Sequence, residues 1–169
     1  RVAALRKAGA KYIFLKTGAY RPVDLARAVK FASKAKLDLL TVDGAGGGTG
    51  MSPWRMMNEW GVPSVELWSL AHQFARKLDK KGEYVPDICF AGGATFEDQI
   101  FKGLAMGAPY VKLVGMARGP IAAAMVGKTI GRTIDAMQVP VYIERFGNSK
   151  DEIFVTASEL RREIGKDEF

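Results

Sequence analysis

Residues 41–53 read TVDGAGGGTGMSP and follow the apolar run LDLL, so a strand ends in a loop with five glycines in seven positions. Glycine backbone is costly to order, and such a loop indicates a sharp bend or a close approach to a ligand. LDLLTVD is a second buried strand; the first, YIFL at 12–15, is short and unbroken, as expected of a strand buried on both faces. This junction of buried strand and glycine loop decides the fold class.

The same unit recurs along the chain. Strands are predicted in YIFL at 12–15, LDLLTVD at 37–43, DICFAGG at 87–93 and PYVKLVG at 109–115. Apolar residues at helical spacing follow each strand. Four alternating units predict an α/β fold with parallel strands and right-handed crossovers, either a (β/α) TIM-type barrel or an independent open sheet. A barrel takes about 250 residues, so this chain would supply about half of one.

Turn and cap residues mark where the helices begin and end. Pro22 suits a first helical turn, Gly82 follows the end of the next helix, and Pro120 opens the last. Thr95 and Asp98 resemble a capping box. Because the first residue is Arg1 rather than Met, we expect an excerpt of a longer polypeptide.

The composition is that of a folded protein, with 48% hydrophobic and 25% charged residues. Lys and Arg outnumber Asp and Glu, but they form no basic stripe interleaved with aromatic residues, so a nucleic-acid partner is not expected. No apolar run reaches about 18 residues and no signal-peptide core opens the chain, so we expect no membrane partner and a cytoplasmic location. The single cysteine, Cys89, excludes an internal disulfide framework or a cysteine-built metal site from this chain alone.

Three motifs in order carry a family resemblance. VDGAGGGTGMSP, PSVELWSLAHQ and FAGGATFEDQIFKGLAMGA resemble the FMN-binding synthase domain of glutamate synthase and its related flavoproteins. The resemblance runs from about Lys11 to about Arg132 and implies that the four units are strands five to eight of the barrel. The expected domains are 1–138, the C-terminal half of an FMN-binding barrel, and 139–169, a C-terminal extension. The remaining half of the barrel would come from the parent chain.

The C-terminal extension carries two local signals. VPVYIERFG is a possible extra strand. TASELRREI is a predicted helix with Thr156 and Glu159 as cap residues.

Glycines after the strands are the expected cofactor ligands. Exposed N–H groups in a glycine turn, aided by a following helix N-terminus, form an anion cradle. Read alone, Gly92 and Gly93 fit a tight turn as well as a cradle, and a second glycine loop before Pro120 favours the cradle. The resemblance implies FMN contacts at Gly47, Gly48, Thr49, Gly50, Gly92, Gly93, Gly115 and Met116. Arg118 either pairs with the phosphate or lies on the surface.

Three charged residues are the expected catalytic group. Lys16 matches the family lysine that reaches the keto-acid substrate, and its alternative is an ordinary strand-end lysine. Asp43 either binds a ligand or caps the glycine turn. Glu66 positions substrate or caps the helix that follows it, with the cap favoured. His72, the only histidine, is expected to make a structural hydrogen bond.

Departures from the family pattern concern the cluster and the substrate. ARGPIAAAMVGKTIGR lacks the three cysteines that hold an iron–sulfur cluster in glutamate synthases, so no cluster is expected from this chain. Ala45 and Gly46 stand where the family has His and Asp, and Thr41 and Asp43 also differ from it.

The leading hypothesis is an FMN-dependent oxidoreductase of reductive-amination type. The resemblance implies a keto acid such as 2-oxoglutarate, an amino-acid product and an external electron donor. The alternatives are an isomerase or lyase that binds a phosphorylated ligand without flavin, and a non-catalytic binding module.

Overall fold

The computed structural model describes residues 1–45, 55, 59–139, 141–145, 147 and 149–153. The chain forms two compact units, Arg1–Pro120 and Ile121–Phe169. Residues 46–50 of the glycine loop predicted at 44–50 and the predicted helix TASELRREI lie outside the described residues. Within the described part, no helix is both long enough and apolar enough to cross a membrane.

Unit one is built on a four-stranded parallel sheet. The strands are β1 (Phe14–Thr17), β2 (Leu39–Asp43), β3 (Asp87–Ala91) and β4 (Val111–Gly115). Their order in the sheet is β1-β2-β3-β4, and every neighbouring pair is parallel. Sequential order means that each crossover passes over the same face, as in a singly wound barrel, whereas a doubly wound sheet reverses direction. The predicted α/β fold is confirmed, and the sheet corresponds to half of a TIM-type barrel that is not closed in this chain.

Helices alternate with the strands as the apolar spacing predicts. They are α1 (Val2–Lys7), α2 (Pro22–Ala35), α3 (Ser64–Asp79), α4 (Glu97–Gly107) and α5 (Arg118–Asp135), followed by α6 (Val141–Glu144) and α7 (Lys150–Ile153). Pro22 begins α2, as expected from its fixed φ, and Lys36 ends that helix in the left-handed region with φ 53°. Gly82, with φ 68°, closes the turn after α3.

One face of the sheet and the helices form the core. Leu40, Val42, Ile88 and Phe90 point from the central strands into this core and have no exposed surface. Helices α2 and α3 cover them with apolar side chains that include Leu25 and Leu67. Burying such side chains is worth about 1.5–3 kcal/mol each relative to exposure.

The opposite face of the sheet is called here the open face, and its central row is Lys16, Thr41, Cys89 and Leu113, which are register partners across the strands. Leu113 is 51% exposed on this face, and Phe14, two residues before Lys16, is 63% exposed. The expectation that β1 is buried on both faces is therefore wrong for this chain. In a closed barrel the open face lines the interior, where such apolar residues pack in layers.

Two local predictions are wrong. The N-cap of α4 is Phe96, and its N–H and that of Thr95 donate to Gln99 Oε1 at 3.1 and 2.7 Å, so Gln99 caps the helix. Asp98 instead accepts from Lys102 Nζ at 2.6 Å. In the second unit, the stretch expected to be a strand contains α6, a helix of four residues.

Asp38 links the start of β1 to the loop before β2. Its carboxylate accepts the Ile13 N–H at 2.7 Å and Arg6 Nη2 at 3.1 Å. The Ile13 N–H, with Arg6 adding to it, lowers the pKa of Asp38 below its ordinary value of 3.8. A lowered folded-state pKa means that the stabilisation is complete above the unfolded-state value and is lost as pH falls through the folded-state value.

We therefore expect Asp38→Asn to lower the urea midpoint at pH 7, and we expect this effect to disappear as pH falls below 3.8 and through the lowered folded-state pKa of Asp38. Urea unfolding of both proteins between about pH 2.5 and 7 measures this. Glu83→Gln, in the exposed turn after α3, serves as the control for loss of one surface charge. A difference between Asp38→Asn and the parent protein that stays constant across this range would contradict the assignment.

Candidate active site

The carboxyl ends of the parallel strands meet at one edge of the sheet, the edge where α/β folds bind ligands. Asp43, Ala91 and Gly115 are register partners at this edge. Lys16 lies next to the end of β1, and two of the predicted catalytic residues therefore belong to one region.

Lys16 and Asp43 form an ion pair. Lys16 Nζ lies 2.8 Å from Asp43 Oδ2. Lys16 pairs in register with Thr41, so Asp43, two residues later, shares its face of the sheet. The Lys16 side chain is 54% exposed and that of Asp43 only 5%. The sequence predicted both residues but not the contact between them.

The second carboxylate oxygen of Asp43 differs from the first. Oδ1 is buried and has no hydrogen-bond partner within the described part of the chain. Buried carboxylate oxygens are normally satisfied because an unmade hydrogen bond in a low dielectric is costly. The aspartate thus has one oxygen committed to Lys16 and one available to a donor.

Cys89 lies beside this pair in the row of the open face. Burial raises the pKa of its thiol, with the Asp43 charge adding to the rise and Thr41, Gly115 and Lys16 opposing it. A thiol with a raised pKa is protonated at neutral pH and is a poor nucleophile or metal ligand. Among the described residues, no group of three or more His, Cys, Asp or Glu side chains is placed to hold a metal.

Gly92 and Gly93 follow β3 with φ of 115° and 93°, a conformation that favours glycine. A Cβ on Gly92 would lie 2.6 Å from Ser64 Oγ and 2.7 Å from Gly44 N. A Cβ on Gly93 would meet no atom of the described residues within 4 Å. The two glycines differ: close packing requires Gly92, whereas Gly93 borders open space.

Ser64 connects the loops after β2 and β3. Its hydroxyl oxygen lies 2.5 Å from Gly92 O and 3.2 Å from Ala45 O, so one proton serves two carbonyls. Ala45 N also donates to Val62 O at 2.9 Å. A serine directly after Pro63 was the available signal, and the sequence reasoning missed it.

Trp68 supports the same region from α3. Its indole N–H donates to Ala91 O at 3.0 Å, and its ring stacks on Phe90 with centroids 5.1 Å apart. A buried indole needs such an acceptor. The sequence reasoning did not single this residue out either.

The second predicted phosphate loop lies next to the first. Gly115 pairs with Ala91, and a Cβ on Gly119 would lie 3.3 Å from Thr95 Cα. The first turn of α5 therefore touches the loop after β3. Met116 is half-buried, and Arg118 is exposed at the start of α5.

The other predicted residues have plainer positions. Glu66 is exposed in the first turn of α3, where a carboxylate favours the helix dipole. His72 Nε2 lies 3.1 Å from Ala108 O, which confirms the expected structural hydrogen bond. Four predicted FMN ligands lie outside the described residues: Gly47, Gly48, Thr49 and Gly50.

Replacing Gly92 should cost more than replacing its neighbour. Gly92→Ala combines backbone strain of about 1–3 kcal/mol with a clash against Ser64 and Gly44, whereas Gly93→Ala incurs only the strain. We expect the free energy of unfolding of Gly92→Ala to fall clearly below that of Gly93→Ala in urea denaturation. Equal losses would show that the contact with Ser64 does not constrain this loop.

Most of the chain matches a known protein family. Residues 1–126 match the family model described as the conserved region in glutamate synthase. No curated protein matches the chain significantly. The family match relates the function of this chain to that of glutamate synthases. Because the match covers well over half of its residues, the chain belongs to the glutamate synthase family.

Proposed function

We propose that this chain supplies the C-terminal half of an FMN-dependent oxidoreductase, with residues 1–138 in the barrel domain and 139–169 as an extension. The reaction would aminate 2-oxoglutarate or a related keto acid reductively to give an amino acid. The observation that carries the proposal is the placing of the Lys16–Asp43 pair at the same sheet edge as the glycine turn after β3.

The residues after β3 and β4 fit an FMN phosphate. Gly93 borders open space at a backbone of positive φ, and the first turn of α5 lies against the same loop. Helix N-termini and glycine turns favour anions because their N–H groups carry partial positive charge. Gly93, Gly115, Met116 and Arg118 would therefore surround the phosphate, and Gly92 would hold the loop in shape through Ser64.

Bound FMN would supply hydride transfer, and this chain would supply binding and charge. The Lys16 ammonium can orient a polar group of the substrate or stabilise negative charge that develops on it. Asp43 holds that ammonium by the ion pair of 2.8 Å. Glu66 would either position substrate or cap α3, in whose first turn it lies. Gly47, Gly48, Thr49 and Gly50 would form the substrate-side wall.

Two partners are part of the proposal. The exposed Phe14 and Leu113 on the open face need cover, which the remaining half of the barrel from the parent chain would provide. The electrons would come from an external donor. The single cysteine of this chain cannot by itself hold an iron–sulfur cluster.

FMN binding tests the proposal directly. The purified full-length protein should show the absorption spectrum of a bound flavin. Gly93→Ala should weaken FMN binding at least tenfold, because its methyl group would enter the space proposed for the phosphate. Gly82→Ala is the matched control, since Gly82 also has positive φ and a methyl group there would likewise meet no described atom within 4 Å.

Fluorescence titration of the apoprotein with FMN measures both affinities. A colourless protein that takes up no added FMN would refute the flavin assignment and favour the isomerase or lyase alternative. Equal FMN affinity in the two glycine variants would refute the phosphate site.

Lys16→Ala should retain FMN but lower kcat/KM for the keto acid by roughly 10²-fold or more, as for loss of one positioned charge. Lys112→Ala, in β4, removes another exposed strand lysine and should change little. Steady-state kinetics with matched flavin content makes the comparison. Normal turnover by Lys16→Ala would remove this residue from the mechanism.

A further inference from the structure

The Lys16–Asp43 pair presents a donor and an acceptor side by side. The ammonium of Lys16 has three N–H donors, and only one is needed for the 2.8 Å contact with Asp43 Oδ2. Asp43 Oδ1 is buried and lacks a partner among the described residues. A ligand at this position therefore meets available N–H groups next to a carboxylate oxygen that needs a donor.

The described neighbours of Asp43 on the open face do not donate to that oxygen. Thr41, the register partner of Lys16, lies beside the Cys89 side chain, which is itself buried. The Cys89 thiol is directed to the Phe90 carbonyl, with Sγ 3.7 Å from the oxygen. Since no described residue satisfies Oδ1, a hydrogen-bond donor on a ligand is the complementary group.

A terminal carboxylate is a poor match for such a pair. Its oxygens only accept hydrogen bonds, so one would face Lys16 while the other lay near the buried charge of Asp43. Like charges repel most strongly where water is excluded. A primary amide has the same shape but offers both an acceptor for Lys16 and an N–H donor for Asp43 Oδ1.

We propose that Asp43 is a specificity-determining residue that makes this site select a neutral amide or similar donor–acceptor group on the substrate over a second carboxylate. The substrate class is thus a keto acid whose far end carries an uncharged donor. This inference narrows the proposed function: among its keto acids it favours one with an uncharged far end over 2-oxoglutarate itself. It rests on that proposal for placing the far end of the substrate at Lys16.

The test compares two probes that differ in one group, 2-oxoglutarate and its 5-amide. Titration calorimetry on the full-length protein, with and without FMN, should show about tenfold tighter binding of the amide, in line with one hydrogen bond to a charged group. Asp43→Asn removes the negative charge and should reverse the preference. Asp87→Asn, at the opposite end of β3, is the charge-matched control and should keep the preference of the parent protein.

Three results would overturn the proposal. These are equal or tighter binding of 2-oxoglutarate relative to its amide by the parent protein, binding of neither probe, or an unchanged acid-to-amide ratio in Asp43→Asn, whether or not that variant binds FMN normally. The parent-protein comparison needs no variant, so it holds even where Asp43→Asn fails to fold. An amide preference in a protein that binds no FMN would support the inference and refute only the proposed flavin function.

Discussion

Strand order is the constraint on which this molecule depends. With the order β1-β2-β3-β4 and parallel pairing throughout, right-handed crossovers place the helices on one face and leave the other open. The same order brings the carboxyl ends of the strands to one edge. Lys16, Asp43 and the glycine turn after β3 are neighbours for this reason, although they are far apart in the sequence.

Two kinds of interaction between elements position the candidate site. Hydrogen bonds from α3 set the backbone after β3, since Ser64 donates to the Gly92 carbonyl and Trp68 to the Ala91 carbonyl. Electrostatics sets the predicted site side chains, because the buried Asp43 carboxylate holds the exposed Lys16 ammonium in an ion pair. Both effects come from contacts between elements, and within the described residues both leave open positions, at Gly93 and at Asp43 Oδ1.

The sequence predicts the repeating architecture well because each unit carries its own signals. The strand predicted at 37–43 appears as Leu39–Asp43, and Pro22 begins α2 as expected. Errors occur where two adjacent residues compete, as with Asp98 and Gln99 at the start of α4. The prediction for the short segment at 139–147 is wrong because four residues carry too little periodicity to separate helix from strand.

Contacts across the sequence were harder to predict. Lys16 and Asp43 were each identified from local position, but their pairing depends on the register of β1 against β2. The contacts of Ser64 were harder still to predict, since serine at a helix start is common. Register and loop packing are properties of the assembled sheet. For this reason the sequence predicted individual site residues but not the contacts between them.

The shared hydroxyl of Ser64 has a consequence for how this site can change. A Cβ on Gly44 would collide with Ser64, and one on Gly92 would meet both Ser64 and Gly44. These three positions therefore form one steric unit that joins the loop after β2 to the loop after β3. Substitutions among them should be strongly non-additive. Under the proposed function, substrate choice would therefore change through neighbouring side chains such as Asp43, while these three positions stay the same.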